Sequence, residues 1–214
     1  MDLDHQGRPK RPFELRQLSQ SPQVAVCHGF ATPAECKYLA QAGSPYLQPS
    51  SVIDPVSGRQ IPHPIRSSDG AIFGVHIEDL VVSAINRRIA ALTSTRYRQG
   101  EPLQLLRYRP GGEYRAHMDA LPSEPNQRIM TVILYLNDGY EGGETQFLRT
   151  GLSFRAKTGD ALMFRNVTAE GRPDQMALHA GAPVTRGTKM IATRWIRNDD
   201  FAFPPPRPIL TVGP

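Results

Sequence analysis

Short runs of apolar residues alternate with polar turns through the second half of the chain. The runs are rich in Val, Ile, Leu, Tyr and Phe, and clusters such as Asn137-Asp138-Gly139 and Thr158-Gly159-Asp160 separate them. Runs of this length, bounded by Gly, Asn and Asp, are typical of β-strands. The predicted strands cover residues 103–109, 114–117, 129–136, 145–147, 153–156, 161–164, 176–180 and 189–197.

The first half of the chain carries two helical patterns. Thr32 as N-cap, Pro33 at the first position and Glu35 in a capping box predict a helix that ends near Gly43. Apolar residues recur every three or four positions over residues 76–92, which predicts a second helix, opened by His76. Helices followed by many short strands predict an α+β, mainly β fold, in which N-terminal helices buttress a sandwich or barrel.

Three segments lack a regular pattern. Residues 1–22 are polar and basic, and we interpret them as an N-terminal arm that is loose or folds back on the domain. Residues 44–75 are rich in Pro and Gly, which predicts a long loop with at most short strands, and such loops are often functional. The Pro-rich tail over residues 201–214 cannot continue a central strand. One domain is therefore predicted over residues 23–200.

The composition narrows the class of protein. The chain has 214 residues, 39% of them hydrophobic, which is enough for one sizeable core. No apolar run reaches the roughly 18 residues of a membrane helix, and no secretory signal opens the sequence, so we expect a soluble, cytoplasmic protein. Cys27 and Cys36 are predicted to be free thiols. The net charge is +5, but the arginines are scattered, so we predict neither a nucleic-acid nor a membrane partner.

Two histidines and one aspartate form a candidate metal site. His117 and Asp119 are two residues apart on a predicted strand, so their side chains point to the same side. His179 lies on another predicted strand, 60 residues beyond Asp119. Such a trio can bind one face of an octahedral ion and leave positions open, as in non-haem Fe(II) oxygenases. A mononuclear zinc hydrolase uses the same ligand types, so the trio alone leaves iron and zinc open.

Lys189 favours iron over zinc. It follows His179 by ten residues, and we expect the turn between them to form a hairpin that returns Lys189 to the face of His179. A fixed cation near a metal suits a ligand that chelates at one end and carries a carboxylate at the other, as 2-oxoglutarate does. The alternative is a solvated lysine at the start of an edge strand.

Several ordered motifs resemble the catalytic domain of prolyl 4-hydroxylases, of the bacterial single-domain type. They lie in residues 106–119, 134–138, 141–145, 157–164, 178–181, 184–189 and 193–197, and the resemblance runs from about Val24 to Arg197. These proteins are Fe(II)/2-oxoglutarate-dependent dioxygenases, and the resemblance implies a double-stranded β-helix, or jelly-roll, core. It also implies hydroxylation of a prolyl residue in a peptide or protein, with formation of succinate and CO₂.

The same resemblance implies roles for individual residues. The residues that it assigns to Fe(II) are His117, Asp119 and His179. Those that it assigns to the distal carboxylate of 2-oxoglutarate are Lys189, Thr145 and Tyr108. Those that it places around the substrate are Tyr114, Arg128, Trp195, Arg66 and Ser67. O₂ is the remaining co-substrate, and ascorbate is a further candidate cofactor.

Other functions stay open on the sequence alone. The substrate of such an enzyme is alternatively a free amino acid or another small molecule. A catalytically silent jelly-roll binding module is disfavoured by the intact set of candidate ligands. Zinc-dependent hydrolysis would leave Lys189 and Thr145 unexplained. The sequence predicts no particular oligomeric state.

Overall fold

Two antiparallel sheets and two helices make up the computed structural model, which describes residues 4, 10, 12–53, 60–74 and 76–202. The helices are α1 (Pro33–Gly43) and α2 (Leu80–Thr93), and short 3-10 helices cover Ser44–Tyr46, Tyr97–Gln99 and Gln175–Ala177. The strands are β1 (Leu15–Gln20), β2 (Gln23–Cys27), β3 (Gln48–Pro49), β4 (Ser51–Ile53), β5 (Gln60–Pro62), β6 (Asp69–Ile72), β7 (Gln104–Tyr108), β8 (Tyr114–His117), β9 (Arg128–Tyr135), β10 (Glu141–Gly142), β11 (Thr145–Phe147), β12 (Leu152–Phe154), β13 (Ala161–Arg165), β14 (His179–Gly181), β15 (Val184–Arg186) and β16 (Lys189–Arg197).

The larger sheet has eight strands in the order β1-β2-β13-β9-β16-β7-β6-β3, and the smaller has four in the order β12-β11-β14-β8. Two short pairs, β10 with β15 and β4 with β5, complete the strands of the described residues. The predicted mainly β, jelly-roll fold with N-terminal helices is confirmed.

The central strands of the larger sheet, β9 and β16, are buried on both faces. On β9, Val132 and Leu134 join a core shared with the two helices, whereas Ile133 and Tyr135 join a second core shared with the smaller sheet. Successive side chains of a strand point to opposite faces, so a strand buried on both faces is apolar at nearly every position. This explains the nearly continuous apolar run at residues 129–136, which only Thr131 interrupts.

Local capping defines the two helices. Around α1, the Thr32 hydroxyl accepts from the Glu35 amide and the Glu35 carboxylate accepts from the Thr32 amide, which is the predicted capping box. The predicted start of the second helix at His76 is wrong. Asp79 caps α2 by accepting from the amides of Val81 and Val82, so the apolar spacing before Leu80 belongs to a turn.

The ends of the domain differ in part from the sequence prediction. Within the predicted N-terminal arm, Leu15–Gln20 is an edge strand that pairs with β2. This part of the arm therefore folds back on the domain. Most of residues 1–11 and the Pro-rich residues 203–214 lie outside the described residues. Cys27 and Cys36 are buried free thiols, as predicted.

Two of the strand predictions need correction. The predicted strand at residues 176–180 begins only at His179, because a 3-10 helix covers Gln175–Ala177. The predicted hairpin from His179 to Lys189 is wrong. β14 belongs to the smaller sheet, the chain then passes through β15, and β16 pairs with β7 and β9 in the larger sheet.

No helix in the described part of the chain has the length and apolar character needed to cross a membrane.

Candidate active site

His117 and His179 face each other across two paired strands. They are direct partners in the ladder of β8 and β14, so their side chains leave the sheet on the same side. Asp119 follows just after β8, rather than on the strand as predicted. The Nε2 atoms of His117 and His179 each lie 3.7 Å from one of the two carboxylate oxygens of Asp119. Among the described residues, this is the only group of three or more His, Cys, Asp or Glu residues with metal-binding spacing.

Backbone carbonyls orient both imidazoles. Nδ1 of His117 lies 2.8 Å from the Arg115 carbonyl oxygen, and Nδ1 of His179 lies 2.9 Å from that of Ala177. A carbonyl oxygen only accepts, so each Nδ1 carries the proton and each Nε2 keeps its lone pair towards Asp119. Metal-bound histidines in proteins are usually fixed in this way.

The charge states of the trio suit a cation. Burial, together with the neighbouring His179, lowers the pKa of His117 to about 4. Burial opposes ionisation of Asp119, but His179, His117 and the Thr131 hydroxyl together hold the pKa of its carboxyl below the usual value. His117 is therefore neutral and Asp119 is ionised, and these are the protonation states that metal ions require of their ligands.

A short hydrogen-bond relay holds Asp119, and the sequence analysis did not find it. The Thr131 hydroxyl donates to Asp119 Oδ2 at 2.6 Å, and the Asn166 side-chain amide donates to the Thr131 oxygen at 2.9 Å. All three residues are buried. Thr131 lies within an apolar strand and Asn166 after another, so no local pattern links them to Asp119.

Lys189 enters the site from the larger sheet. Its ammonium group is buried and donates to the Gly143 carbonyl oxygen at 2.6 Å. No described carboxylate lies within ion-pair distance of it, and burial lowers the pKa of Lys189 to about 8, with a smaller opposing effect of Glu144. A buried cation without an anion is costly, so this arrangement favours a negatively charged ligand.

Hydroxyl groups surround the same region. The hydroxyls of Thr145 and Tyr135 lie 2.7 Å apart, and the Lys189 ammonium nitrogen lies 5.6 Å from the ring centre of Tyr108. Burial raises the pKa of Tyr108 far above the usual value, so its phenol remains a proton donor. Tyr135 was not predicted as a site residue, because in the sequence it resembles the other core residues of β9.

One pocket of about 420 Å³ between the two sheets joins these groups. We call it the central pocket. Of the predicted site residues, those that line it are Tyr108, Tyr114, His117, Asp119, Thr145, His179, Lys189 and Trp195. The remaining predicted residues, Arg66, Ser67 and Arg128, lie next to it rather than in its lining.

Tyr114 lies on the same side as His117, although simple alternation would separate residues three positions apart. Its ring stacks on the His117 imidazole, with ring centres 3.5 Å apart and planes at 14°. The register of β8 against β14 shifts between His179 and Gly181, and this irregularity re-aims Tyr114.

Trp195 lines the central pocket, and Arg128 stacks on its ring from outside the lining. The Arg128 guanidinium carbon lies 4.0 Å from the Trp195 ring centre, and its Nε lies 2.6 Å from Glu101 Oε1. Glu101 also accepts from Arg197 Nε at 2.7 Å, so one carboxylate fixes two guanidinium groups. The indole Nε1 of Trp195 is buried and has no hydrogen-bond partner among the described residues. The sequence analysis missed Glu101, which lies in a loop without a motif.

Comparison with known proteins identifies the family. The family model described as the 2OG-Fe(II) oxygenase superfamily matches residues 103–197. Prolyl 4-hydroxylase 1 of Arabidopsis thaliana is 34% identical over 200 residues, which cover 84% of this chain and 70% of that protein. Prolyl 4-hydroxylase 2 of the same plant is 33% identical over 216 residues, which cover 89% of this chain and 72% of that protein. The chain belongs to the prolyl 4-hydroxylase family.

A solved structure of this family supports the assignment. The viral collagen prolyl hydroxylase of Paramecium Bursaria Chlorella virus-1, in its 2OG complex, superimposes with a TM-score of 0.66 at 28% identity. The match covers 81% of this chain and 95% of that chain. This chain is therefore a 2OG-Fe(II) oxygenase, a dioxygenase that uses Fe(II), 2-oxoglutarate and O₂.

The residues of the central pocket fit this cofactor set. Two Nε2 lone pairs and one carboxylate are the ligand types of non-haem Fe(II) oxygenases. Sulfur ligands, which a closed zinc site usually has, are absent from the trio. The buried ammonium of Lys189, with hydroxyl groups beside it, matches the free carboxylate of 2-oxoglutarate.

Proposed function

We propose that this member of the prolyl 4-hydroxylase family hydroxylates a prolyl residue of a peptide or protein. The observation that carries the proposal is the combination, in one pocket, of the His117, Asp119 and His179 trio with the buried ammonium of Lys189, which has no carboxylate partner among the described residues. The names of the relatives, prolyl 4-hydroxylases and a collagen prolyl hydroxylase, support the choice of substrate.

His117, Asp119 and His179 are proposed to hold Fe(II). The carbonyls of Arg115 and Ala177 keep the two Nε2 atoms available, and Thr131 keeps the carboxylate in place. Three protein ligands would leave further coordination positions for the co-substrates. When bound, the metal and its co-substrates supply O₂ activation coupled to decarboxylation of 2-oxoglutarate, which hydroxylates a C–H bond and yields succinate and CO₂.

Lys189, Thr145 and Tyr108 are proposed to bind the distal carboxylate of 2-oxoglutarate. Lys189 supplies the charge, while the two hydroxyls satisfy carboxylate lone pairs that burial would leave without water. Tyr108 acts as a donor because its phenol stays protonated.

The remaining predicted residues are proposed to position the substrate. Tyr114 and Trp195 present flat surfaces to the central pocket, a shape that suits a prolyl ring. Arg128 braces Trp195, whereas Arg66 and Ser67 border the adjoining groove. An open groove beside the pocket favours a peptide over a free amino acid, which remains the second candidate substrate. A cytoplasmic location and the use of ascorbate also belong to the proposal.

The test combines the protein with Fe(II), 2-oxoglutarate and O₂, and measures succinate with and without peptides that contain Pro. We expect succinate formation to rise with a Pro peptide whose mass increases by one oxygen, and His117→Ala to abolish both signals. Free proline and free lysine, added in place of peptide, test the small-molecule alternative. Metal-loaded protein that forms no succinate under any of these conditions would refute the oxygenase assignment.

A further inference from the structure

A groove with three arginines borders the central pocket where Arg66 contacts Tyr114. We call it the arginine groove. Its polar lining includes His63, Arg66, Ser67, Asp69, Arg107 and Arg109. Arg66 links the two cavities, because its guanidinium carbon lies 5.2 Å from the ring centre of Tyr114, which lines the central pocket.

The arginine groove carries an excess of positive charge. Asp69 is the only carboxylate of its described lining, and one oxygen of Asp69 serves two arginines. Asp69 Oδ2 accepts from Arg107 Nη2 at 2.8 Å and lies 3.5 Å from Arg109 Nη2. Burial and the charge of Arg66 lower the pKa of His63, so His63 adds no charge near neutral pH. Within the part of the chain that the structure describes, Arg66 is thus left without a counter-charge.

Arg66 has unused hydrogen-bonding capacity. Among the described residues, no hydrogen bond or ion pair involves its guanidinium group, and its Nε is buried without a partner. Buried donors in proteins are usually paired, and an unpaired one is costly. An acceptor brought by a ligand would satisfy it.

The backbone fixes Arg66 in this position. The Ser67 amide donates to the Glu113 carbonyl oxygen at 3.0 Å, and the Arg115 amide donates to that of Ile65 at 2.9 Å. These bonds pin residues 65–67 to β8 like a short added strand. The main chain that carries the Arg66 side chain is therefore preformed, which lowers the entropy cost of binding.

Arg66 is also close to the proposed metal site. Its guanidinium carbon is 5.2 Å from the Tyr114 ring centre, which in turn is 3.5 Å from the His117 ring centre. Together these steps span at most about 9 Å, the length of roughly three extended residues.

We propose that the arginine groove binds a carboxylate of the substrate peptide, within about three residues of the hydroxylated position. Arg66 makes the principal contact, because a guanidinium fork matches a carboxylate and this fork has no hydrogen-bond or ion-pair partner among the described residues. Arg109, with a side chain 65% exposed, adds a second positive charge. The inference rests on the proposed function and names its substrate class as acidic prolyl peptides. Two sources of the carboxylate fit, namely an Asp or Glu side chain and the C-terminus of the peptide.

The test uses a panel of Pro peptides that differ at one position within three residues of Pro, on either side. Each position carries Glu, Gln or Lys in turn, and each peptide is made with a free and an amidated C-terminus. Dissociation constants are measured without O₂ on protein loaded with Fe(II) and 2-oxoglutarate, so that binding is separate from turnover. We expect one position at which the Glu peptide binds about tenfold tighter than the Gln peptide, and the Lys peptide binds weakest. High salt should reduce these differences in affinity.

Substitutions assign the preference to the groove. Arg66→Gln should reduce the preference for Glu over Gln to within about twofold, and Arg66→Glu should reverse it in favour of Lys. Arg149→Gln is the matched control, because Arg149 is exposed on the turn between β11 and β12 and β12 lies at the opposite edge of the smaller sheet from β8. This control should keep the wild-type preference.

The outcomes separate this inference from the proposed function. Equal affinity for Glu, Gln and Lys peptides at every position, and for free and amidated ends, would overturn the inference. If such peptides were nevertheless hydroxylated when O₂ is admitted, the proposed function would stand. A preference for Glu that depends on Arg66, without hydroxylation of any peptide, would support the groove and refute the prolyl substrate.

Discussion

At the residue scale, the proposed metal ligands depend on partners that do not touch the metal themselves. Two main-chain carbonyls fix the imidazoles, and the Asn166–Thr131 relay fixes Asp119. Because Thr131 donates to Asp119 Oδ2, the other oxygen, Oδ1, has no side-chain donor among the described residues and is available to a cation. This arrangement gives Thr131 a positioning role that a substitution can isolate.

Thr131→Val keeps the shape of the side chain and removes its hydroxyl. We expect the affinity for Fe(II) or Mn(II) to fall by about tenfold, because Asp119 loses the donor that orients it. Anaerobic metal titration measures the effect, and Thr185→Val, at an exposed position of β15, serves as the control. Unchanged metal affinity in Thr131→Val would show that the relay does not orient the ligand.

The charge of Lys189 predicts a pH dependence. Its pKa of about 8 means that the free enzyme loses the ammonium charge above that pH, and only the charged form attracts a carboxylate. The KM for 2-oxoglutarate should therefore be flat below pH 8 and rise by up to about tenfold per pH unit above it. Lys189→Arg, which stays charged, should abolish the rise. A KM for the wild type that stays constant to about pH 9.5 would contradict this role of Lys189.

At the element scale, strand pairing brings the site together. The ladder of β8 and β14 sets His117 opposite His179, and the pairing of β16 with β7 sets Lys189 opposite Tyr108. Each pair joins residues that are far apart in sequence. A change in register by one residue would turn each side chain to the other face.

Local elements were predictable from the sequence, and long-range pairing was not. The capping box of α1 and the bounds of β8 follow from neighbouring residues, and both were predicted correctly. The hairpin from His179 to Lys189 was wrong because alternation gives the face of a strand but not the sheet that it joins. Thr131, Asn166 and Glu101 escaped notice for the same reason, since their partners lie 12 or more residues away.

The cap of α1 offers a test of local stability. Thr32→Ala should lower the free energy of unfolding by about 1 kcal/mol, because the Glu35 amide loses its acceptor. Thr32→Ser keeps an acceptor and is the matched control. Urea unfolding of the two variants measures the difference, and equal stabilities would show that the cap contributes nothing.

At the scale of the whole molecule, the two sheets contribute different parts of one site. The smaller sheet carries His117, His179 and Thr145, whereas the larger sheet carries Lys189 and Tyr108. A ligand that bridges the metal and Lys189 would therefore tie the sheets together. These five residues lie in motifs that the sequence already showed, and the structure brings them together in the lining of the central pocket.

This bridging predicts stabilisation by ligands. A ligand that binds only the folded state, at a concentration 100 times its dissociation constant, adds about 2.7 kcal/mol to the free energy of unfolding. Mn(II) with 2-oxoglutarate should therefore raise the Tm by several degrees. Lys189→Ala should retain the increment from metal alone and lose most of the increment from 2-oxoglutarate. Thermal unfolding with each ligand, alone and together, measures the two contributions. An undiminished 2-oxoglutarate increment in Lys189→Ala would place that ligand elsewhere.

The most direct test of the central claim is the origin of the oxygen atom that the enzyme adds to a prolyl peptide. The reaction is run under oxygen-18 gas in ordinary water with Fe(II) and 2-oxoglutarate, and peptide and succinate are analysed by mass spectrometry. We predict one heavy oxygen in the prolyl hydroxyl group and one in succinate. A peptide that remains unmodified while succinate is labelled would refute the prolyl substrate, and the absence of label from both products would refute the dioxygenase chemistry.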